Sequence, residues 1–301
     1  MKVVITGACG FIGRKLIEEL EQAGHELRLV DKAPPAEATI FLPTAPGARG
    51  AAPFETRWPF VKAEIMDADA ITKAVEGCDA MVHLAAAVTG VPEHGIDTFH
   101  VNACGTYIAL EACRLAGVKR FLCASSINAF GTFYWRLSGK PSPYTSMPLT
   151  ETFDVVPEDS YSLGKYVNEL TCAAFHRAFG MTTAAFRFAG VWSDAGYEDA
   201  LKKGLSPTTA WADDLFQWVH RSDVVRGIRQ ALECETLPGY GAYTLGAADT
   251  RCPESTMDLL RTYRPDLAAT VTEPLPGRAP LLSIAKAQAA FGYAPRFRLG
   301  A

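Results

Sequence analysis

"GACGFIG", Gly7–Gly13, follows the apolar run KVVIT and opens the helical pattern FIGRKLIEELEQAG. Its three glycines, Gly7, Gly10 and Gly13, fall where a strand turns tightly, backbone must approach a pyrophosphate, and a helix packs closely on the strand. The N–H groups that open the helix supply donors for the anion. Along that helix Ile12, Leu16, Leu20 and Ala23 share one face, and Gly24 offers the cap. The next apolar run, ELRLVD, ends on Asp31, where a carboxylate accepts hydrogen bonds from ribose hydroxyls. Strand, helix, strand and acid in register predict a dinucleotide site formed by Gly7, Gly10, Phe11, Ile12 and Gly13, with Asp31 and Lys32 at the ribose. A carboxylate there repels a 2′-phosphate, so NAD is favoured over NADP, although Lys32, Arg49 or Arg57 could blunt the repulsion.

Outward from this unit the rhythm repeats. FVKAEI, AMVHLAA and RFLCASS read as strands, with ITKAVEG and VNACGTYIALEACRLAG as helices between them. The spacing predicts βαβ units and a parallel sheet, and unbroken Val/Ile/Leu runs predict strands buried on both faces. SYSLGKYVNELTCAAFHRAFG reads as a helix, TTAAFRFAGVW as a strand, RSDVVRGIRQALE as a helix and AYTLGAA as a short strand. The tail from STMDLLRTY to LLSIAKAQAAFGYAP reads as two helices with Pro/Gly-rich connections. Ala33 to Phe60 carries six prolines and no period, which predicts a long loop. Gly131 to Asp159, rich in aromatics, Pro and Ser, leaves a strand end and is a candidate substrate loop.

Composition bounds the partners. The chain has 301 residues, 49% hydrophobic and 21% charged, enough for one large core with a smaller lobe. A net charge of −4, with no Lys/Arg run beyond two, argues against a nucleic-acid footprint. Eight cysteines lack any C-x-x-C spacing, which predicts buried free thiols in a reducing cytoplasm. No apolar run reaches the length of a bilayer span, and the start is too short and glycine-rich for a signal peptide, so no membrane partner is expected. His94, Asp97 and His100 lie close in sequence without a zinc-site pattern, and no metal is expected.

Tyr161 and Lys165, in YSLGK, stand four residues apart, which puts both side chains on one helical face. A phenol titrates near 10, so service as a base near neutrality requires a neighbouring positive charge, and Lys165 can be that charge. His83 reads as a satisfied strand-end histidine and Arg187 as a buttress of the sheet. Phe133, Tyr134, Trp135, Trp192, Trp211 and Trp218 form an aromatic set in which packing and pocket roles both stay open.

TGACGFIG, HLAA (83–86), VNACGT (101–106), SSINAFG (125–131) and YSLGK, in this order, resemble the extended short-chain dehydrogenase/reductases, the NAD-dependent epimerase/dehydratase family. The likeness spans nearly the whole chain. It implies a Rossmann-type doubly wound parallel sheet with a small C-terminal substrate-binding lobe. Residues 1–188 with 219–247 would bind NAD, and 189–218 with 248–301 would form the lobe. It further implies Tyr161 as acid/base and Lys165 as the group that holds the nicotinamide ribose and lowers the Tyr pKa. Ser126 would bond the reacting oxygen, and Asn102 would position a water or a backbone group. Glu64 and Ile65 would lie at the adenine, with Leu84, Ala85, Ala86, Ala189 and Val191 lining the cofactor. Ser126, Asn128, Tyr161 and Trp192 would touch substrate. A homodimer is the assembly common in this family, and VNACGTYIALEACRLAG and SYSLGKYVNELTCAAFHRAFG are apolar over more than one face.

Departures from the family select the reaction. Its dehydratases carry an Asp-Glu pair after the hydroxyl residue; here Ile127 and Asn128 stand there and transfer no protons. Its nucleotide-sugar epimerases carry a large basic lobe; the stretch between Val191 and Val219 is short and acidic, with Lys202 and Lys203 its only cations. The frame resembles in part the uronate dehydrogenase branch, but the strand runs into Ala189, Gly190, Val191 and Trp192 with no arginine before Arg221. The expectation is an NAD-dependent dehydrogenase of a small sugar, sugar acid or related alcohol, with a sugar epimerase as the alternative.

Overall fold

The computed structural model describes residues 1–41 and 49–300. In chain order its elements are β1 (Lys2–Thr6), α1 (Phe11–Gln22), β2 (Glu26–Asp31), β3 (Thr39–Phe41), β4 (Arg49–Ala51), β5 (Phe60–Lys62), α2 (Ala68–Val75) and β6 (Ala80–His83). Next come α3 (Gly95–Phe99), a wide turn over His100–Cys104, α4 (Gly105–Leu115), β7 (Arg120–Ser126), α5 (Ser160–Phe179), β8 (Thr182–Phe188), β9 (Val191–Trp192) and α6 (Asp194–Lys203). The chain closes with β10 (Val219–His220), α7 (Arg221–Glu233), β11 (Tyr240–Leu245), α8 (Thr256–Tyr263), α9 (Pro265–Ala268) and α10 (Ala285–Phe291).

Seven strands form one parallel sheet in the order β11-β8-β7-β6-β1-β2-β5. Alternation of side chains along each strand feeds two cores. Val3 and Ile5 join Leu16 and Leu20 of α1, Val224 and Ile228 of α7 and Phe291 of α10; Val4 joins Ile71 of α2, Leu110 of α4 and Phe175 of α5. That double burial is why the strands read as continuous apolar runs. The chain leaves β1 toward β2 on one side and returns at β6 on the other, so the sheet opens a crevice at the carboxyl ends of β1 and β6.

The proline-rich stretch expected to be a loop contains a tight turn at Pro35–Glu37 and the antiparallel pair β3/β4, with Thr39 opposite Ala51. Strands of three residues are too short to print an alternation on the sequence. Pro43, Pro46 and the side chain of Arg49 lie outside the described residues. The Gly131–Asp159 stretch is pinned to the C-terminal part of the chain. Met147 bridges to Val271 and Leu149 to Leu282, and Leu149 N–H donates to Leu281 O at 2.8 Å. β9 pairs with β10, and the segment around them buries Trp218 against Trp192, Tyr197 and Leu299. α10 lies on β11 and α7, its Phe291 set edge-on to Phe186 and Tyr243, so it covers the sheet. All eight cysteines are free thiols, six of them buried. Among the described residues no helix is long and apolar enough to cross a membrane.

Candidate active site

The crevice between β1 and β6 is walled by backbone. Gly7 has φ +68°, and a Cβ there would lie 2.7 Å from Ala85 N and 2.8 Å from the Leu84 carbonyl carbon. A Cβ at Gly13 would lie 2.3 Å from Gly7 O. Only glycine lets β1, α1 and the Leu84–Ala86 segment close this tightly. Gly10 caps α1, whose first turn carries no acid, and Phe11 and Ile12 are half-buried at its start. The helix therefore presents unopposed N–H groups to an anion. Asp31 ends β2 and accepts from Cys9 N–H at 3.0 Å and from Ala33 N–H at 3.4 Å, which ties the carboxylate to the glycine turn and leaves further lone pairs for ribose hydroxyls. Lys32 and Glu64 are exposed, whereas Ile65 is buried against Gly105. A cradle that a Cβ would fill, beside a carboxylate, fits a dinucleotide.

One residue outside the sequence expectations joins this cradle. Arg221, first in α7, stacks over the Phe11 ring at 4.7 Å, donates to Phe11 O at 3.4 Å and pairs with Asp194 at 2.6 Å. Its place just after a strand and before an amphipathic helix gave no hint of the partner across the crevice.

The second half of the crevice is walled by side chains from α5. Asp159 caps this helix, accepting from Tyr161 N–H and Ser162 N–H at 2.9 Å each, which sets where Tyr161 begins its turn. Tyr161 and Lys165 are both buried, one turn apart. Lys165 Nζ donates to Ala124 O at 2.8 Å and stands 5.6 Å from the centre of the Tyr161 ring. Burial pushes the Tyr161 phenol up to about 12; a hydrogen bond with Ser126 draws it back and the charge of Asp159 pushes it further up. Burial also lowers the Lys165 ammonium, with the Cys123 thiol acting the other way. Lys165 Nζ thus ties α5 to the β7 carbonyl, and Tyr161 holds its proton at neutral pH.

Ser126 ends β7, and its Oγ accepts from Asn128 N–H at 3.1 Å, starting the short turn Ile127–Phe130. Asn128 is buried, and its Oδ1 has no hydrogen-bond partner among the described residues. Asn102 clasps the chain leaving β6: Nδ2 donates to Ala87 O at 2.9 Å and Oδ1 accepts from Ala87 N–H at 2.8 Å. The wide turn at His100–Cys104 carries it there. Ala189 and Val191 flank Gly190, whose N–H donates to Gln217 Oε1 at 2.6 Å. The Trp192 ring meets Trp218 at 5.1 Å.

Beneath the site two groups are held by buried partners. His83 lies between Thr6 Oγ1 (2.8 Å) and Thr106 Oγ1 (3.2 Å), and burial, with Lys165 nearby, lowers it to about 3. It is a neutral strand-end histidine. Ser125 donates to Glu169 Oε1 at 2.6 Å, and Glu169 takes both prongs of Arg187, at 2.9 and 2.8 Å, with all three residues buried. Sequence reasoning missed Glu169, although its position one turn beyond Lys165 and two beyond Tyr161, on the same helix face, was a usable signal. His94, Asp97 and His100 are exposed, and the described residues contain no cluster of metal-ligating groups.

A family model described as the NAD-dependent epimerase/dehydratase family matches residues 3–246. An uncharacterized UDP-glucose epimerase of Bacillus subtilis is 29% identical over 247 residues, covering 77% of this chain and 72% of the relative. The uronate dehydrogenase of Pseudomonas putida is 26% identical over 230 residues, covering 75% of this chain and 73% of the relative. The UDP-glucose 4-epimerase of Thermotoga maritima, solved with UDP-glucose, superposes with a TM-score of 0.69 at 20% identity, over 99% of this chain and 95% of that one.

Proposed function

From the premise that this chain belongs to the NAD-dependent epimerase/dehydratase family, we propose that it is a dehydrogenase moving hydride between NAD and a small sugar, sugar acid or related hydroxyl compound. The observation that carries the reading is the Ser126–Tyr161–Lys165 set, Tyr161 and Lys165 buried and Ser126 half-buried, with uncharged Ile127 and Asn128 beside it. With no carboxylic acid next to Ser126, water has no obvious general acid to leave by, and simple hydride transfer is what these groups serve. The likeness to uronate dehydrogenase supports the same class.

Gly7, Gly10, Phe11, Ile12 and Gly13 would hold the pyrophosphate, Asp31 and Lys32 the adenosine ribose, Glu64 and Ile65 the adenine. Leu84–Ala86, Ala189 and Val191 would line the remainder. Bound there, NAD supplies the hydride acceptor. Tyr161 exchanges the substrate hydroxyl proton at its Oη, and Ser126 steadies the same oxygen. Lys165 holds the ribose while fixing β7 against α5, and Asn102 holds the Ala87 backbone that borders the site. The unpartnered Asn128 Oδ1 is an acceptor for a substrate hydroxyl, with Trp192 at the lobe side.

The exposed apolar side chains Tyr107, Leu163, Leu170 and Phe179 on α4 and α5 support a homodimer, and the free thiols support a reducing cytoplasm. The test is absorbance at 340 nm with NAD and a panel of aldoses, uronates and small alcohols. NADH formation is expected. A product isomer without NADH would replace the dehydrogenase by an epimerase, the second reading, which the name of the B. subtilis relative favours.

A further inference from the structure

We propose that Trp135 is the wall of the substrate site above Tyr161 and selects a cyclic polyhydroxy substrate, whose apolar C–H face lies on the indole. This rests on the dehydrogenase reading and narrows its substrate class from small hydroxyl compounds to sugar rings.

Trp135 is held in a conformation that packing alone does not explain. Its φ is +58°, a left-handed value shared among described non-glycine residues only by Leu215 and Phe216. A bulky side chain is placed there at an energetic cost, and such strain persists where surroundings enforce it. Here they do. Arg136 donates to Gly131 O at 2.6 Å and to Lys140 O at 3.1 Å and pairs with Glu158 at 2.9 Å. Glu158 also accepts from Ser138 N–H at 2.8 Å, so the turn is clamped at both ends. On the other side a Cβ at Gly90 would lie 2.4 Å from Trp135 Cδ2, so glycine is what lets the indole settle against the chain leaving β6.

Thus fixed, the indole serves the site and not the core. Of the five tryptophans, Trp58, Trp192, Trp211 and Trp218 belong to the buried clusters; Trp135 belongs to none of them. It is half-buried, and its ring meets Tyr161 edge-on at 5.6 Å and 68°. Beside it Tyr134 is exposed, ring to ring at 6.2 Å. An aromatic plane beside the proton-exchanging Tyr161 offers an apolar face next to a hydroxyl that gives and takes hydrogen bonds. A sugar ring presents the same two kinds of surface, C–H groups on one face and hydroxyls around the edge.

The test compares Trp135→Ala and Trp135→Phe with wild type, using a ring sugar or uronate and an open-chain alcohol that the 340 nm panel identifies. Trp135→Ala is expected to raise KM for the ring substrate about tenfold, with kcat and NAD affinity little changed, while Trp135→Phe keeps most of the affinity. Unchanged KM for the ring substrate, or an equal rise for the open-chain alcohol, overturns the proposal. Should Trp135→Ala not fold, Trp135→Leu, which keeps apolar bulk without a ring face, must give the same selective rise. Should wild type turn over nothing, the dehydrogenase reading fails separately. Saturation-transfer NMR with NAD and methyl β-D-glucopyranoside then decides: ring C–H signals lost in Trp135→Leu and kept in Trp135→Phe support the platform, and signals absent in wild type or undiminished in Trp135→Leu overturn it.

Discussion

The two halves of the crevice hold their shape by different means. Around Gly7, Gly13 and Ala85 the walls are backbone in contact with backbone, with no room for one further carbon. Around Tyr161 the walls are side chains held by partners: Lys165 on Ala124 O, Glu169 on Ser125 and Arg187, Arg136 on Glu158. The first arrangement fixes a shape that any dinucleotide of this kind shares. The second depends on individual side chains and the partners that hold them.

The contrast is broken most severely at the buried Glu169–Arg187 pair. Arg187→Met leaves a carboxylate with Ser125 alone and is expected to destabilise the fold by about 3–5 kcal/mol, measured by urea unfolding. Adding Glu169→Leu should recover most of that loss, because two apolar residues carry no unpaired charge. On the backbone side, Gly13→Ala drives a methyl to 2.3 Å from Gly7 O and should weaken NAD binding by about 100-fold, since the turn must open by a fraction of an ångström to admit it. Calorimetric titration with NAD checks this, and an unchanged Kd would mean that the tight closure is unrelated to the cofactor.

His83 sharpens the comparison because it sits where the halves meet. Held neutral with a value near 3, it resists a proton that the unfolded chain accepts near 6.5. Its contribution is therefore complete above pH 6.5 and shrinks as pH falls toward 3, by a few kcal/mol over that window. His83→Gln should flatten the fall in Tm between pH 7 and pH 4. A smaller effect concerns charge at the ribose: Asp31→Asn should narrow the preference for NAD over NADP by about tenfold, as removing a repelled carboxylate does. Parallel kcat/KM values with both cofactors measure it.

How far these halves were legible follows from how they are built. Gly7, Gly10, Gly13 and Asp31 announce themselves because backbone sterics demand one residue type at each position. The αβ rhythm was readable because every strand is buried on both faces. Tyr161 and Lys165 lie one turn apart and show as a pair. Glu169, Arg221 and Trp135 act through partners distant in the chain, Arg187, Phe11 and Gly90, and no local pattern links them. The resemblance assigns Lys165 the lowering of the Tyr161 phenol; in the fold its amine donates to Ala124 O, and burial is the largest influence on the phenol, raising it. With the phenol up at about 12, its anion grows about tenfold per pH unit below that value, so kcat/KM for oxidation should climb from pH 7 to pH 9 while reduction stays flat.

The most direct test of the account is Tyr161→Phe, assayed for turnover and NAD binding on one preparation. It should lower kcat at least about 100-fold with NAD affinity nearly unchanged, the scale of losing a general acid/base. Undiminished turnover would contradict the assignment of the proton to Tyr161.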